Sequence, residues 1–324
     1  MKTILITGAG GFIGSHLAER AVELGYRVRA FVRYNSRNDW GWLEESARRD
    51  DIEVVAGDIR DYDSVHGALK GCDAVFHLAA LIGIPYSYIS PQAYVQTNIG
   101  GTYNVLQASR EHGVGQVIIT STSETYGTAQ YVPIDENHPV IGQSPYSATK
   151  IGADQLAISF HRSFDLPVKI VRPFNTYGPR QSSRAIIPTV ITQLVSGDGT
   201  VRVGNVEPTR DLTFVEDTVE GFIEIFKSDA LIGEITNIGM GEEISIGGLV
   251  ALIGSLMGKE IEIVSEEKRV RPERSEVERL RCNNEKILEA TAWRPRYDLA
   301  RGLTTTIEWL RGHLAMYKSG TYTV

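Results

Sequence analysis

Cysteine is almost missing from this chain: Cys72 and Cys282 are the only two, far apart and without neighbouring metal-ligand spacing. Neither a disulfide framework nor a zinc site is expected, no metal is called for, and a reducing cytoplasm fits. Long apolar runs are missing as well. The first ends after a few residues at Thr7-Gly8, too short for a signal-peptide core, and none later approaches the roughly twenty residues of a membrane helix. A cytosolic protein with no membrane partner is expected. Positive charge is not in excess either: the net charge of −7 argues against a nucleic-acid partner, so any phosphate binding must be local. Internal repeats and low-complexity tracts are absent. What remains is an ordinary globular composition, 42% hydrophobic and 23% charged over 324 residues, long enough for a nucleotide-binding unit with an added substrate-binding part.

The first half alternates short apolar runs with helical patterns at a period of about thirty residues, the mark of a doubly wound parallel α/β sheet. Strands are expected at Thr3 to Ile6, Arg27 to Val32, Glu53 to Val55, Ala74 to His77, Gln116 to Thr120 and Val168 to Val171. Helices are expected at Phe12 to Leu24, Ser64 to Leu69, Pro91 to His112 and Tyr146 to Phe164. Beyond Arg172 the pattern loosens and prolines punctuate it. The expected division is a dinucleotide-binding domain over 1–177 and a smaller substrate-binding domain over 178–324, with segments near 213–240 returning to the main sheet.

Directly after the first strand, Gly8-Ala9-Gly10-Gly11-Phe12-Ile13-Gly14 opens a helix. Glycines 8, 11 and 14 permit a tight turn, close approach to a pyrophosphate and close helix packing, with the helix N-terminus facing the anion. Strand, turn and helix in that order favour cofactor binding over an ordinary glycine-rich turn. An acidic residue at the end of the second strand would bond the ribose 2′-hydroxyl of NAD. Here the strand is followed by Arg33-Tyr34-Asn35-Ser36-Arg37, with no carboxylate in place. Arg33 and Arg37, with Asn35 and Ser36, suit a 2′-phosphate, so NADP is preferred to NAD; the alternative is that these arginines are solvated surface. Gly57-Asp58-Ile59 follows the third strand, where Asp58 is either a contact to the adenine or a turn aspartate.

Tyr146 and Lys150 lie four residues apart at the start of a helix, so phenol and ammonium share one face. A nearby cation lowers the phenol pKa from its usual value of about 10 and makes Tyr146 a plausible general base. The apolar strand ending in Thr120-Ser121-Thr122-Ser123-Glu124 brings hydroxyls and a carboxylate to the carboxyl edge of the sheet, where open α/β sheets bind ligands. Either Ser121 or Thr122 would reach the reacting hydroxyl.

With these residues, the whole chain resembles the extended short-chain dehydrogenase/reductase family. The matching residues are the glycine turn, Asp58, His77-Leu78-Ala79-Ala80, Asn98, Ser121 to Gly127, Tyr146 to Lys150, Arg172 to Pro179 and Arg210-Asp211. The resemblance implies a Rossmann domain, a smaller C-terminal domain gripping a nucleotide diphosphate, and a nicotinamide cofactor regenerated in each turnover. It places Phe12, Ile13, Ile59, Leu78, Ala79, Ala80, Asn98 and Pro173 beside the cofactor, and Asn175, Arg210 and Arg271 beside the sugar nucleotide. It also implies a homodimer in which Pro91 to His112 and Tyr146 to Phe164 form a four-helix interface, with Val95, Ile99, Tyr103 and Leu106 facing either the partner or the protein's own core.

Glu124 discriminates among reactions. The triplet Thr122-Ser123-Glu124 is similar to that of GDP-mannose 4,6-dehydratases. Once C4 is a carbonyl, the C5 proton is acidic enough for a positioned carboxylate, and water then leaves from C6. Dehydratases of the dTDP-glucose branch have an aspartate where this chain has Ser123, so Glu124 would act as base and acid in turn. Three stretches, Tyr34 to Glu44, Gly127 to Glu136 and Arg271 to Leu280, resemble dehydratases of legionaminic acid pathways. That resemblance implies GDP- or UDP-N-acetylglucosamine as substrate. In the first stretch the alternative is a simple packing helix anchored by Trp40 and Trp42. The rival reactions are 4-epimerisation and UDP-glucuronate decarboxylation, the latter needing a cation such as Arg180 or Arg184; a nucleotide-sensing module without catalysis is the rival outside enzymes.

Overall fold

Strands that are apolar at consecutive positions must bury both faces of their sheet, and helices provide the cover. The computed structural model describes residues 1–197 and 199–317. Its first part runs β1 (Thr3–Thr7), α1 (Phe12–Glu23), β2 (Arg27–Arg33), β3 (Ile52–Gly57), α2 (Tyr62–Leu69), β4 (Ala74–His77), α3 (Ile84–Ile89), α4 (Pro91–Tyr94), α5 (Gly101–Glu111), β5 (Gln116–Thr120), α6 (Pro145–Phe164) and β6 (Val168–Pro173). There follow β7 (Asn175–Tyr177), α7 (Ile186–Ser196), β8 (Thr200–Val203), β9 (Thr209–Arg210), β10 (Leu212–Phe214), α8 (Val215–Lys227) and β11 (Ile235–Ile238). The last elements are β12 (Ile244–Ser245), α9 (Ile246–Met257), β13 (Glu262–Ser265), α10 (Glu285–Ala290) and α11 (Leu299–Gly312).

Seven strands form one parallel sheet in the order β3-β2-β1-β4-β5-β6-β11. This is the doubly wound Rossmann architecture expected from the sequence. All five residues of β1 are buried. Ile4 and Ile6 meet Leu17, Ala18 and Ala21 of α1 on one face, while Leu5 meets the α2 and α5 side through Val65, Leu69 and Val105. Strand order reverses between β1 and β4, which opens a crevice at the carboxyl ends of these strands. β11 pairs with β6, with Ile235 opposite Ile170, so the chain returns to the main sheet after β7 to β10. Away from the sheet, β7 pairs with β10, β8 with β13, and β9 with β12.

Two helices position the site. α6 starts at Ser144, whose hydroxyl accepts from the Ser147 N–H at 3.1 Å, while the Ser147 hydroxyl accepts from the Ser144 N–H at 3.0 Å. Pro145 holds the first helical position of this capping box. The helix expected over Pro91 to His112 is not regular: a π turn at Val95–Gly100 separates α4 from α5. That turn presents Asn98 toward the end of β4, where its amide brackets Leu81 by accepting from the N–H at 2.9 Å and donating to the carbonyl at 3.0 Å.

Candidate active site

The glycine turn is built for close approach. A Cβ on Gly14 would stand 2.2 Å from the Gly8 carbonyl oxygen, so any side chain there would push α1 away from β1. Gly11 caps α1 without a side-chain hydrogen bond, so the helix start faces the crevice with its N–H groups and positive dipole end. These features fit the pyrophosphate of a dinucleotide. The additional Gly10 has a different reason: the chain after β2 folds back onto it. The Trp42 N–H donates to the Gly10 carbonyl at 3.0 Å, and a Cβ on Gly10 would lie 2.3 Å from the Trp40 carbonyl oxygen. Trp42 packs edge-on against Trp309 of α11, Trp40 lies under the Arg49 guanidinium, and both rings are partly buried against the core as anchors. The expected packing helix here is a short 3-10 turn over Gly41–Glu45.

Arg33, Ser36 and Arg37 are exposed around the end of β2. Asn35 is differently employed. Its Oδ1 accepts from the Arg37 and Asp39 N–H groups, each at 3.1 Å, and its Nδ2 donates to the Arg33 and Asp39 carbonyls. It shapes the loop and is not a free phosphate donor. Asp58 is held by Arg60, whose Nε reaches both carboxylate oxygens at 2.9 and 3.1 Å. The hydrogen bonds from Arg60 hold its pKa below the ordinary carboxylate value.

A buried hydrogen-bonded chain fixes the floor. Thr102 donates to the Asn98 carbonyl at 2.6 Å, so its oxygen must accept from His77 Nε2–H at 3.1 Å. His77 Nδ1 then accepts from Thr7 at 2.8 Å, and Thr7 accepts in turn from the Ala79 N–H. Burial, with a smaller contribution from the Lys150 charge, pushes the His77 pKa down to about 3, so the imidazole is neutral. This chain sets the backbone of Leu78, Ala79 and Ala80 beside the glycine turn. The Asn98 amide is taken up by Leu81 and Thr149, so only its backbone carbonyl acts within this chain.

The carboxyl end of β5 leads into a 3-10 turn, Ser123–Tyr126, capped by Thr122, and this turn faces α6. Thr122, Ser123, Glu124, Tyr146 and Lys150 are all buried. Burial raises the Tyr146 pKa, the Thr122 hydroxyl pulls it back, and the Glu124 charge raises it further. Thr122, Glu124 and Tyr146 are therefore one electrostatic group. Lys150 Nζ donates to the Thr120 carbonyl, and burial lowers its pKa to about 8 against the opposing pull of Asp154. Ser121, one of two candidates for contact with the reacting hydroxyl, instead donates to Asp154 at 2.7 Å. Thr122 is left as the hydroxyl beside the phenol.

Across the crevice, Arg210 is buried, and its Nη2 meets Glu276 at 3.1 Å. Arg271 reaches the same carboxylate oxygen at 3.5 Å. Burial lowers the Arg210 pKa, and Glu124 is the foremost charge opposing that shift. The arginine thus links the acidic turn to the opposite wall. Asn175 begins β7 with its Oδ1 buried and unpartnered among the described residues, while Pro173 ends β6. Gly127 to Glu136 and Arg271 to Leu280 prove to be adjoining segments: Thr128 donates to the Glu276 carbonyl, and Ile134 bridges to Cys282. Arg180, a candidate for holding a sugar carboxylate, is committed to Glu19 through two 2.9 Å hydrogen bonds.

Sequence reasoning gave no role to Asp154, Arg172 or Glu276, the last two entering only within stretches that carry a family resemblance. Asp154 had a signal, since it follows Lys150 at the same four-residue spacing that joins Lys150 to Tyr146. Glu276 had none, because only the fold brings it to Arg210. Among the described residues no cluster of His, Cys, Asp and Glu is arranged for a metal ion, and no helix is long and apolar enough to cross a membrane.

A dinucleotide-type glycine turn at the switch point of a parallel sheet, with Tyr146 and Lys150 buried beside it, defines an extended short-chain dehydrogenase/reductase. The sequence signature of the GDP-mannose 4,6 dehydratase family matches residues 5–306, and the chain belongs to that family. It is similar to a dTDP-glucose 4,6-dehydratase of Streptomyces antibioticus, with 31% identity over 97% of this chain and 94% of the relative. It is also similar to a UDP-N-acetyl-alpha-D-glucosaminuronate decarboxylase of Bacillus cytotoxicus, with 33% identity over 96% of this chain and 98% of the relative. Among solved structures, DesIV, a dTDP-glucose 4,6-dehydratase from Streptomyces venezuelae with NAD and TYD bound, superposes with a TM-score of 0.88 at 29% identity, covering 98% of this chain and 99% of that one. The protein thus stands among nucleotide-sugar dehydratases, epimerases and decarboxylases.

Proposed function

We propose that this protein is a nucleotide-sugar 4,6-dehydratase acting on GDP- or UDP-N-acetylglucosamine. The observation that carries the reading is Glu124, a buried carboxylate beside Thr122 and Tyr146 at the carboxyl edge of β5. The nicotinamide cofactor supplies a hydride acceptor for C4 and the hydride donor for C6. Tyr146 takes the proton of the C4 hydroxyl, with Lys150 favouring the phenolate by its charge. Thr122 hydrogen-bonds the same oxygen, and buried Ser123 lines the turn. Glu124 removes the C5 proton, now next to a carbonyl, and passes it to the departing C6 hydroxyl, which leaves as water; hydride return to C6 is then matched by protonation of C5, which balances the proton Tyr146 took from the C4 hydroxyl. The product is a 4-keto-6-deoxy sugar nucleotide, lighter than the substrate by one water.

The division of labour along the chain belongs to the same proposal. Residues 1–177 hold the cofactor: Gly8, Gly11, Phe12, Ile13 and Gly14 meet its pyrophosphate, while Asp58, Ile59, Leu78, Ala79, Ala80, Asn98 and Pro173 line its path. Residues 178–324, with Asn175, hold the sugar nucleotide through Arg210 and Arg271. NADP is preferred to the NAD of the similar structure, because Arg33 and Arg37 are exposed at the end of β2 where no carboxylate stands. Tighter binding of NAD than NADP would reverse this preference. The working unit is a homodimer formed through the α4, α5 and α6 side.

The deciding experiment is mass spectrometry of the protein incubated with GDP- and UDP-N-acetylglucosamine, alongside Glu124→Gln. Loss of one water by wild type, absent from the variant, supports dehydration. An isomer of unchanged mass means epimerisation. Decarboxylation is the second reading, favoured by Arg184, an exposed guanidinium whose charge reaches Tyr94, the ring edge-on to Tyr146. Release of carbon dioxide from a UDP-uronate would establish it.

A further inference from the structure

Helix α6 carries a third titratable residue at the spacing that joins Tyr146 to Lys150. Asp154 follows Lys150 by four positions on the same face, with 0% of its surface exposed. Its surroundings are unusual for a structural carboxylate. Ser121 Oγ donates to Oδ2 at 2.7 Å, and Arg172 donates to the same oxygen through Nε at 3.2 Å and Nη2 at 2.9 Å. Oδ1 is buried and has no hydrogen-bond partner among the described residues. An arginine and a carboxylate that serve only each other usually pair fork to fork across both oxygens. Here the guanidinium also lies over the Tyr126 ring, 4.8 Å from its centre, and all donors crowd one side of the carboxylate. An unused buried acceptor is costly, about 1–3 kcal/mol, so its retention calls for a function.

We propose that Asp154 is a positioning residue for the Tyr146 and Lys150 pair: fixed by Ser121 and Arg172, its carboxylate keeps Lys150 an ammonium held against the Thr120 carbonyl. The inference rests on the roles given to Tyr146 and Lys150 above. Ser121 and Thr120 are consecutive on the β5 edge, so one strand end holds both the counter-charge and the ammonium. The groups facing Lys150 are few. Asp154 comes from α6, His77 from β4 and the Thr120 carbonyl from β5, and Arg172 stands behind Asp154 on β6, while Tyr146 precedes Lys150 by one turn on the same face of α6. His77 is neutral, and the charge of Glu124, in the 3-10 turn, acts on Tyr146 and not on Lys150. Asp154 is thus the anion that offsets burial of the ammonium, which otherwise favours the neutral amine.

The test follows the Lys150 side chain directly, by NMR of protein labelled with 13C-lysine, with its resonance assigned by loss in Lys150→Met. Asp154→Asn is expected to lower the Lys150 titration midpoint by about one pH unit or more. The basic limb of the pH profile of turnover should move with it, and Asp154→Glu should restore both. An unchanged midpoint in folded Asp154→Asn overturns the proposal, whatever happens to activity. Should that variant fail to fold, Ser121→Ala decides, since it takes the strand-end donor from the carboxylate while keeping its charge. A midpoint moved in Ser121→Ala supports the proposal, and an unchanged one overturns it. The two readings fail separately: absent turnover with a moved midpoint refutes only the dehydratase assignment, and normal dehydration with a fixed midpoint refutes only the role of Asp154.

Discussion

Glu124 and Tyr146 are buried side by side, yet the proposed chemistry asks each for a different proton, and substitution can separate them. Glu124→Gln keeps the shape of the side chain and removes its basicity. Formation of the 4-keto-6-deoxy product should fall about 100-fold or more, the usual contribution of a placed acid or base, while calorimetry shows sugar-nucleotide binding retained. Tyr146→Phe should lose turnover to at least a similar extent, because the phenol is the group assigned to the C4 hydroxyl proton while Glu124 is assigned to C5; undiminished turnover would remove the phenol from the mechanism. Most residues of this group were legible in the sequence, because spacing on a single helix and adjacency at a strand end survive in one dimension. Asn35 and Ser121 were legible by position but not by employment. Whether an amide shapes its own loop, or a hydroxyl serves a buried carboxylate, depends on partners as distant as Asp154.

Between residues and the whole chain, two connections deserve a measurement each. The fold-back of Trp40 to Trp42 onto Gly10 couples the loop after β2 to the phosphate turn. Gly10→Ala should therefore destabilise the protein by about 1–3 kcal/mol and weaken cofactor binding, seen in urea unfolding and in fluorescence titration. The second connection is the buried chain from β1 through His77 to α5. His77 has a folded pKa of about 3 against 6.5 when free, so below pH 6.5 the unfolded chain takes up a proton that the folded one refuses. Stability should consequently fall as pH drops through that window, by about 1.4 kcal/mol per unit from this group. Unfolding at pH 7 and pH 4.5 should show a shallower slope for His77→Gln, and an equal slope would assign the acid sensitivity elsewhere. Strand and helix placement in the first half was legible because parallel strands flanked by helices write strong periodicities. The π turn was not, since it follows from Asn98 reaching Leu81 across space.

At the scale of the molecule, the apolar residues of the α3 to α6 side remain uncovered. Ile89, Val95 and Tyr103 are exposed to 67%, 48% and 46%, whereas Leu106, of the same helical pattern, is fully buried and Ile99 packs against Gly152. The helical stripe thus divides into an outward and an inward half. Val95→Glu combined with Tyr103→Glu should shift sedimentation from dimer to monomer with little change in thermal unfolding of the monomer; a wild type that sediments only as monomer would remove the dimer from the proposal. The looser second half of the chain was the least legible part, because its short strands pair with distant segments, as β8 does with β13.

The homecoming of β11 to the edge of the main sheet has a consequence for anyone exchanging parts between relatives. A cut near Gly178 yields no pair of autonomous modules: the leading piece would present the bare backbone of β6 to other chains, an invitation to aggregate, and the trailing piece would carry an orphan strand. Swapping sugar preference therefore calls for a discontinuous graft that leaves α8 and β11 in the recipient, so the two halves are inherited, and must be engineered, as an interleaved whole.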